Sequence, residues 1–545
     1  MSVSNQNLEQ LIKQMAVLLD KNDAPDPNLY ASFIQEPELS FKLVDFINDL
    51  SEEQSPQNIN LYSAAIFALD LCVAQLQSTI ELQYKPSMKT LERLMNYMAE
   101  IMNRRNHSVS FWLPALNAFY ETHTELTSAL KNAYFNLASE EEDASDYDDF
   151  SHIHSMKNLI AELSDLSVFD ITENFFAQSY AMPSDFFADL VIDLYSIEEG
   201  QDIGLLTLLH PKKEVRDMII ATMDQFIDDI VLSPISLSRL EALKHWFPEK
   251  TQLRFSHWIK IQRKKGVVFA KEKQAEKTEI KVSEVDGSGS QGVFIHYKKN
   301  RKNRLCGLLF SLQTGIKDAW ITPDITAADV KRYYHEAFDD TVTLRPVGLD
   351  YLKQMCEHFL ALTIAKGNIP DLHLLEIQEL LGLQFHPKQI DVEDLIEELG
   401  IQITPFTPEN LENSLKRSKS WSKNKRFTES WFVENAHIDK LVNRHCSIIE
   451  GTKVCNFDEA MKDVFKEEME VQRERWLFHF IWLTLWLKSS ARKNEKIWQD
   501  SFYIAYAINQ GRSLDSIPIM RDICYQSVTN SVETMQERRT HLTQE

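Results

Sequence analysis

Residues Gly287-Ser288-Gly289-Ser290-Gln291-Gly292 carry the spacing G-x-G-x-x-G, in which glycines let backbone amides approach a pyrophosphate or the phosphates of ATP. The residues that follow decide against both uses. A dinucleotide site needs a helix directly after the glycines so that its first amides meet the phosphate, whereas Val293-Phe294-Ile295-His296-Tyr297 reads as a strand. A kinase loop does lie between strands, but it needs a lysine on the next one, and Leu305 to Leu312 has none. H-R-D and D-F-G loops are also missing from the chain. The expectation is a glycine-serine hairpin turn.

His445-Cys446 with Cys455 and His437 has the residue types of a zinc site, but two adjacent ligands cannot point the same way on a regular helix, and no C-x-x-C pair supports them. The six cysteines (Cys72, Cys306, Cys356, Cys446, Cys455, Cys524) are scattered, so free, mostly buried thiols in a reducing compartment are expected. His335-Glu336 and His373 with Glu376 are acid-base pairs by type, the second at i, i+3 on a helix. Such pairs are common on helix surfaces, and neither has a partner nucleophile. P-loop, H-E-x-x-H and G-x-S-x-G motifs are absent. No catalytic residue, metal or cofactor is therefore assigned.

Charge is the sharper signal. The chain has 545 residues and a formal charge of −23, which on average repels phosphate backbones and anionic membranes. From Lys260 through Arg304, however, thirteen basic residues face five acidic ones. A second tract, Leu415 to Phe427 (LKRSKSWSKNKRF), has six cations, no acid and no apolar period, and is read as an exposed loop. Phosphate binding needs clustered Lys and Arg, and base stacking needs exposed aromatics. The candidate anion or nucleic-acid contacts are therefore Lys298, Lys299, Arg301, Lys302, Arg304, Lys416, Arg417, Lys419, Trp421, Lys423, Lys425 and Arg426, with Tyr297 as a second aromatic. The alternative is that these cations dock onto the molecule's own acidic segments, such as Glu140 to Asp149, or onto an acidic protein partner.

The elements that must carry these residues follow from periodicity. Only 14 glycines and 17 prolines occur, too few for a turn-rich β sandwich. Apolar residues recur at helical spacing at Leu8, Leu11, Ile12, Met15, Leu18 and Leu19, at Ala65, Leu69, Cys72, Val73, Leu76 and Ile80, and at Met88, Leu91, Met95, Met98 and Met102. The methionine stripe is read as core. Ser139 to Phe150 (SEEEDASDYDDF) lacks the glycine and closing glutamate of a calcium loop and is read as an acidic linker. After Ile261 the pattern switches to alternation: EIKVSEVD, a GSGSQG turn, VFIHY, a KKNRKNR turn and LCGLLFSL form a meander of three to four strands, roughly Thr278 to Thr322. The longest apolar run lies near Trp476 to Leu487. At about 12 residues it is short of the roughly 20 needed to span a bilayer, and it is read as a helix buried on all sides.

His210-Pro211-Lys212-Lys213-Glu214-Val215-Arg216-Asp217-Met218 resembles the turn and second-helix start of a HEAT repeat, where a proline turn precedes a Val-Arg pair. The resemblance covers one repeat near residues 200–260 and implies an interaction scaffold of stacked helix pairs. Val215, Met218, Ile219, Met223, Phe226 and Ile230 would form the buried face, with Arg216 reaching carboxylates across the stack.

The fold expected is mainly α: helical blocks at 1–138, 151–265 (HEAT-like), 326–412 and 429–536, an acidic linker at 139–150, a basic β meander at 266–325, a basic loop at 413–428 and a tail at 537–545. Met1 to Gln10 lacks the basic-then-apolar order of a secretion signal, so a cytoplasmic protein without a membrane span is expected. Its expected role is a non-enzymatic interaction scaffold with protein partners. The alternative is a nucleic-acid-associated factor acting through the basic tracts, and a less favoured one is an enzyme without a linear motif.

Overall fold

A computed structural model describes residues 5–20, 27–52, 55–143, 149–182, 184–270, 278–299, 302–337, 342–403, 405–421, 431–449, 452–489 and 496–543. The described residues are mainly helical, with one five-stranded antiparallel sheet in the middle of the sequence and a two-stranded hairpin further on. It divides into two compact units, Met1–Thr222 and Met223–Arg539.

The first unit is organised around the helix Pro56–Glu81. Ser55 caps it, accepting from the Asn58 amide at 3.3 Å, and Pro56 occupies the first turn, where no amide donor is needed. Small residues Ala64, Ala65 and Ala68 and the larger Leu69, Cys72, Val73 and Leu76 are buried, so neighbouring helices Asn5–Asp20, Leu39–Asn48, Lys85–Met102 and Val109–Glu121 all pack on this one. Its segment Gln57–Glu81 is long and apolar enough to cross a membrane by length and composition. Ser63, Asp70, Gln75 and Gln77 break it into short apolar stretches, so no uninterrupted run like Trp476 to Leu487 marked it in the sequence. The methionine stripe is core at Met95, Met98 and Met102, whereas Met88 is exposed.

Two further readings change. The helix Ser128–Asp143 runs through the first part of the segment expected to be a linker, consistent with the helix preference of glutamate; residues 144–148 lie outside the described residues. At the turn from His210 to Met218, the helix Lys213–Phe226 does bury Val215, Ile219 and Met223, but Met218 faces solvent. Among the described residues Arg216 pairs with no carboxylate. Its Nη1 donates to the His210 and Pro211 carbonyls, each at 2.7 Å, and so clamps its own turn. Lys212 donates to the Tyr180 carbonyl, its Nζ lying 3.9 Å from that ring's centroid, and burial lowers its pKa to about 8.

The second unit holds the sheet. Strands β1 (Thr278–Val282), β2 (Ser290–Lys299), β3 (Lys302–Ser311) and β4 (Gly315–Ile321) form the expected meander, and β5 (Arg345–Pro346) adds a short edge beside β1, giving the order β4-β3-β2-β1-β5. Two residues, one of them proline, leave no alternation to read, so β5 has no signature in the sequence. The helix Leu349–Ala365 packs on β4, and Phe310 stacks on Phe359 with ring centroids 4.8 Å apart. Gly315 (φ +92°) sits where a Cβ would meet Thr363 Oγ1 at 2.2 Å, so glycine is required both for backbone conformation and for close approach. The helix Arg473–Ser489 is buried all round from Phe478 to Leu487, as its uninterrupted apolar sequence implies. Its Trp482 Nε1 donates to Gln291 Oε1 (3.0 Å) and Tyr351 Oη (3.1 Å), and the Tyr351 hydroxyl donates to the same Gln291 oxygen (2.7 Å). That fully buried triad ties β2 to two helices and satisfies the polar atoms of all three side chains at once.

Candidate functional site

The first cationic tract lies on the β2–β3 hairpin, where Lys299 pairs in register with Lys302. Alternation along β2 turns Lys298 to solvent and Tyr297 inward, leaving the latter 7% exposed. Tyr297 is thus removed as a stacking platform. Lys302 reaches Asp324 at 2.6 Å in an exposed pair, which contributes about 1 kcal/mol or less. Arg304 is held more firmly. Its Nε donates to the Thr322 carbonyl (3.0 Å) and its Nη1 to Glu376 Oε1 (3.1 Å), while Glu376 Oε2 lies 3.0 Å from His373 Nδ1. His373 and Glu376, both buried, therefore meet as their i, i+3 spacing suggested, but the carboxylate is already engaged by a guanidinium. Of the meander's other cations, Lys281 pairs with Glu279 at 3.2 Å. The Lys299 side chain and Arg301 lie outside the described residues.

The second tract begins inside a helix. Pro408–Ser418 is capped by Thr407 and ends with Lys416 and Arg417 in its last turn, where cations favour the helix dipole. The loop expected from residue 413 is therefore helical up to Ser418, because Leu415 packs inward and alanine-free but good helix formers such as Lys and Arg surround it. Arg417 is bound to Asp500, with Nη2 and Oδ1 2.5 Å apart, and that hydrogen bond raises its pKa. Trp421 is 5% exposed and meets Trp431 edge-on with centroids 6.3 Å apart, so it too is core rather than a base-stacking surface. Lys416 and Lys419 face solvent. Lys423, Lys425 and Arg426 lie outside the described residues.

The glycine motif serves packing. Gly289 (φ +80°) makes the turn, and a Cβ on Gly287 would lie 2.3 Å from the Phe432 carbonyl oxygen. Arg475 Nη2 donates to the Gly287 carbonyl (2.6 Å), and Trp431 Nε1 donates to the Val285 carbonyl (2.8 Å). The turn's backbone is thus occupied by the C-terminal helices, and β2 follows it directly.

Sequence reasoning missed a polar cluster beside this turn. The chain makes a π-helical turn at Phe465–Met469, a form often found at functional sites, and it directs Glu468 inward. Glu468 accepts from Asn435 Nδ2 (2.8 Å) and Gln472 Nε2 (2.7 Å) and lies 3.0 Å from His437 Nδ1. Gln472 in turn accepts from Arg475 at 3.2 Å. Nearby, His445 Nε2 lies 2.7 Å from Asp463 Oδ2. Both are carboxylate–imidazole pairs, the geometry that orients a general base. Among the described residues no hydroxyl or thiol is hydrogen-bonded to either ring. No sequence signal marked Glu468, since Glu467-Glu468 reads as an ordinary helix surface.

The expectation of six free thiols is corrected here. β6 (Cys446–Ile449) and β7 (Thr452–Cys455) form a hairpin that sets Cys446 directly opposite Cys455, and the two are joined in a disulfide. Directly opposed antiparallel positions bring Cα atoms within bridging range, which a nine-residue spacing alone does not reveal. Cys72, Cys306, Cys356 and Cys524 are free and buried. With the two sulfurs bonded to each other and each imidazole turned to a carboxylate, these four side chains do not converge as metal ligands.

Three family descriptions match parts of the chain: a Y4lR second domain over residues 183–266, a domain of unknown function (DUF7401) over 272–389, and a Y4lR C-terminal helical domain over 393–532. The middle match takes in the sheet together with the helices Leu349–Ala365 and His373–Leu381. A curated relative, the uncharacterized protein y4lR of Sinorhizobium fredii (strain NBRC 101917 / NGR234), is 24% identical over 299 residues, covering 54% of this chain and 55% of the relative. The match thus spans about half the length of each protein. No solved structure matches. The chain is similar over two segments to Y4lR domains and, between them, to a domain of unknown function, and none of these descriptions states an activity.

Proposed function

We propose that the protein is a non-enzymatic interaction scaffold whose helical surfaces hold protein partners, and that it works in the cytoplasm. The HEAT-like reading of the turn at His210 to Met218 is part of this proposal. The observation that carries it is the internal use of the ionisable groups that chemistry would need. Glu376 binds Arg304 and His373, Glu468 holds Asn435, His437 and Gln472, and the glycine turn is filled by Arg475 and Phe432. Hydrogen-bonding capacity spent inside the chain in this way supports a role in packing and orientation.

The test is native purification of a tagged full-length chain after nuclease treatment, followed by chemical cross-linking. Specific protein partners that survive both steps are the expected result. A chain that purifies alone from its native extract would overturn the scaffold reading.

A nucleic-acid role is the second reading, and it keeps support from Lys298, Lys416 and Lys419, which face solvent. It requires binding that weakens steeply with salt and is lost on neutralising these residues. Salt-insensitive binding, or none, removes it.

A further inference from the structure

The helix Glu249–Lys264 is held by one face only. Phe255, Trp258, Ile259 and Gln262 are buried. Trp258 Nε1 donates to Asp224 Oδ1 (2.7 Å), and Gln262 bonds the Ile227 carbonyl (3.0 Å), the Ile230 carbonyl (3.1 Å) and the Leu232 amide (3.0 Å). Arg254 takes Asp224 at 3.2 Å. Lys265 donates to the carbonyls of Ile227, Asp228 and Ile230. These contacts fix the helix and leave its opposite face exposed among the described residues.

That opposite face carries Lys250, Leu253, His257, Lys260 and Lys264 at helical spacing, all exposed. Among the described residues, Lys250, Lys260 and Lys264 meet no carboxylate within ion-pair distance. Gly266 (φ +92°) then reverses the chain, with the Val267 amide donating to the Gln262 carbonyl at 3.1 Å. Beyond it Val268 and Phe269 lie on the surface, Arg263 poised 5.1 Å from the Phe269 ring centroid. Leu253 is 67% exposed, Val268 63% and Phe269 38%. Lys260 and Lys264, unmatched among the described residues, are thus bounded by apolar side chains, Leu253 on one side and Val268-Phe269 on the other, about 15 Å apart by helical rise from Leu253 to Arg263, and Lys250 lies one turn beyond Leu253.

We infer that this face docks an acidic segment of a protein partner, carboxylates against the lysine row and an apolar residue at each end. The inference rests on the scaffold reading and names the chemistry of the partner. Charge complementarity points to an anion, and two observations favour a short peptide over a polyanion. Leu253 and Val268, the most exposed apolar residues here, are aliphatic, so they can bury against side chains but cannot stack on bases, and the Phe269 ring already meets Arg263. Acidic residues border the helix itself: Glu249 opens it, Asp224 pairs with Arg254, and the Asp228 carbonyl accepts from Lys265, and fields are screened over about 8 Å at physiological salt. A long nucleic acid or a membrane surface would therefore extend past the lysines over like charge, whereas a segment of helix length would not.

The full-length chain is titrated against a fluorescent synthetic peptide of about 14 residues, matched in helical length to the row, made of Glu and Asp with a leucine near each end. Fluorescence anisotropy reports binding, and circular dichroism confirms that each variant stays folded. Binding that falls about tenfold or more in the Lys260→Glu, Lys264→Glu double variant is expected, with about threefold loss in Leu253→Ser. The inference is overturned if the peptide does not bind, or if the charge-reversed chain binds it equally. It is also overturned if a single-stranded oligonucleotide of equal length, or phosphatidylserine vesicles, bind more tightly through the same two lysines. A native partner that survives nuclease but cross-links elsewhere preserves the scaffold reading and removes this surface.

Discussion

Arg304 and Lys260 bound the same cation-rich stretch of sequence, yet the fold treats them in opposite ways. Arg304 sits half-buried on a strand beside the buried Glu376, where a carboxylate taken out of water must find a partner, and the guanidinium meets both Glu376 and the Thr322 carbonyl. Lys260 projects from the outer face of a helix whose inner face is fully engaged, and water is its partner. The difference teaches that a run of like charges in a sequence has no single meaning. Position relative to the core decides which members are structural and which can meet another molecule.

The strongest way to break this comparison is to remove the structural cation. Arg304→Ala leaves Glu376 buried beside His373 without its guanidinium, and should destabilise the protein by about 3 kcal/mol, measured by urea denaturation. A loss below about 0.5 kcal/mol, the range of ordinary surface substitutions, would mean that Arg304 is no more committed than Lys260.

Gly287→Ala tests whether the glycine turn is equally committed to packing. Its Cβ would overlap the Phe432 backbone, and a loss of about 2 kcal/mol is expected. Full stability in the variant would show that the turn is free to approach a ligand.

The third test uses pH. His479 is fully buried between Trp431 and Trp476, and burial, with a smaller effect of Arg475, drives its pKa down to about 3 from an ordinary 6.5. Because its folded-state value is depressed, the unfolded chain takes up a proton that the folded one refuses. Stability contributed by the neutral ring is present above pH 6.5 and is lost as pH falls from there toward 3, by at most about 1.4 kcal/mol per pH unit. His479→Phe should flatten that part of the stability profile in denaturation series at successive pH values. An unchanged slope would place the acid sensitivity elsewhere, His358 being the next buried ring, lowered by burial to about 4.

The smallest effects sharpen the contrast from the other side. Arg417→Ala breaks a largely exposed pair with Asp500 and should change stability by under about 1 kcal/mol. Replacing Lys260 and Lys264 by serine should leave the melting temperature unmoved while altering only what binds. A marked drop in melting temperature from the lysine variant would show that the helix face is covered by the protein itself.

Much of the architecture was legible without coordinates. Alternation in Glu279 to Asp286 and Val293 to Tyr297 marked two strands because side chains on a pleated surface repeat every two residues, the apolar stretch from Leu305 continued them, and the apolar residues Trp476 to Leu487 could only be covered from all sides. The candidate contacts were legible in composition alone. Trp421, surrounded by lysines in sequence, lies in the core against Trp431, because the helix before it ends there and sends the chain inward. Glu468 gave no sign of itself, since burial of one glutamate in a polar run depends on a local π turn that no spacing announces.

Local sequence determined what local forces determine: helix and strand periods, caps such as Ser55 and Thr407, and the turn at Gly289. Tertiary structure alone decided which charges are matched, because ion pairing depends on distance through space. Arg304 and Glu376 are 72 residues apart and Arg417 and Asp500 are 83 apart, so only the folded chain brings each cation to its carboxylate, or leaves it facing water.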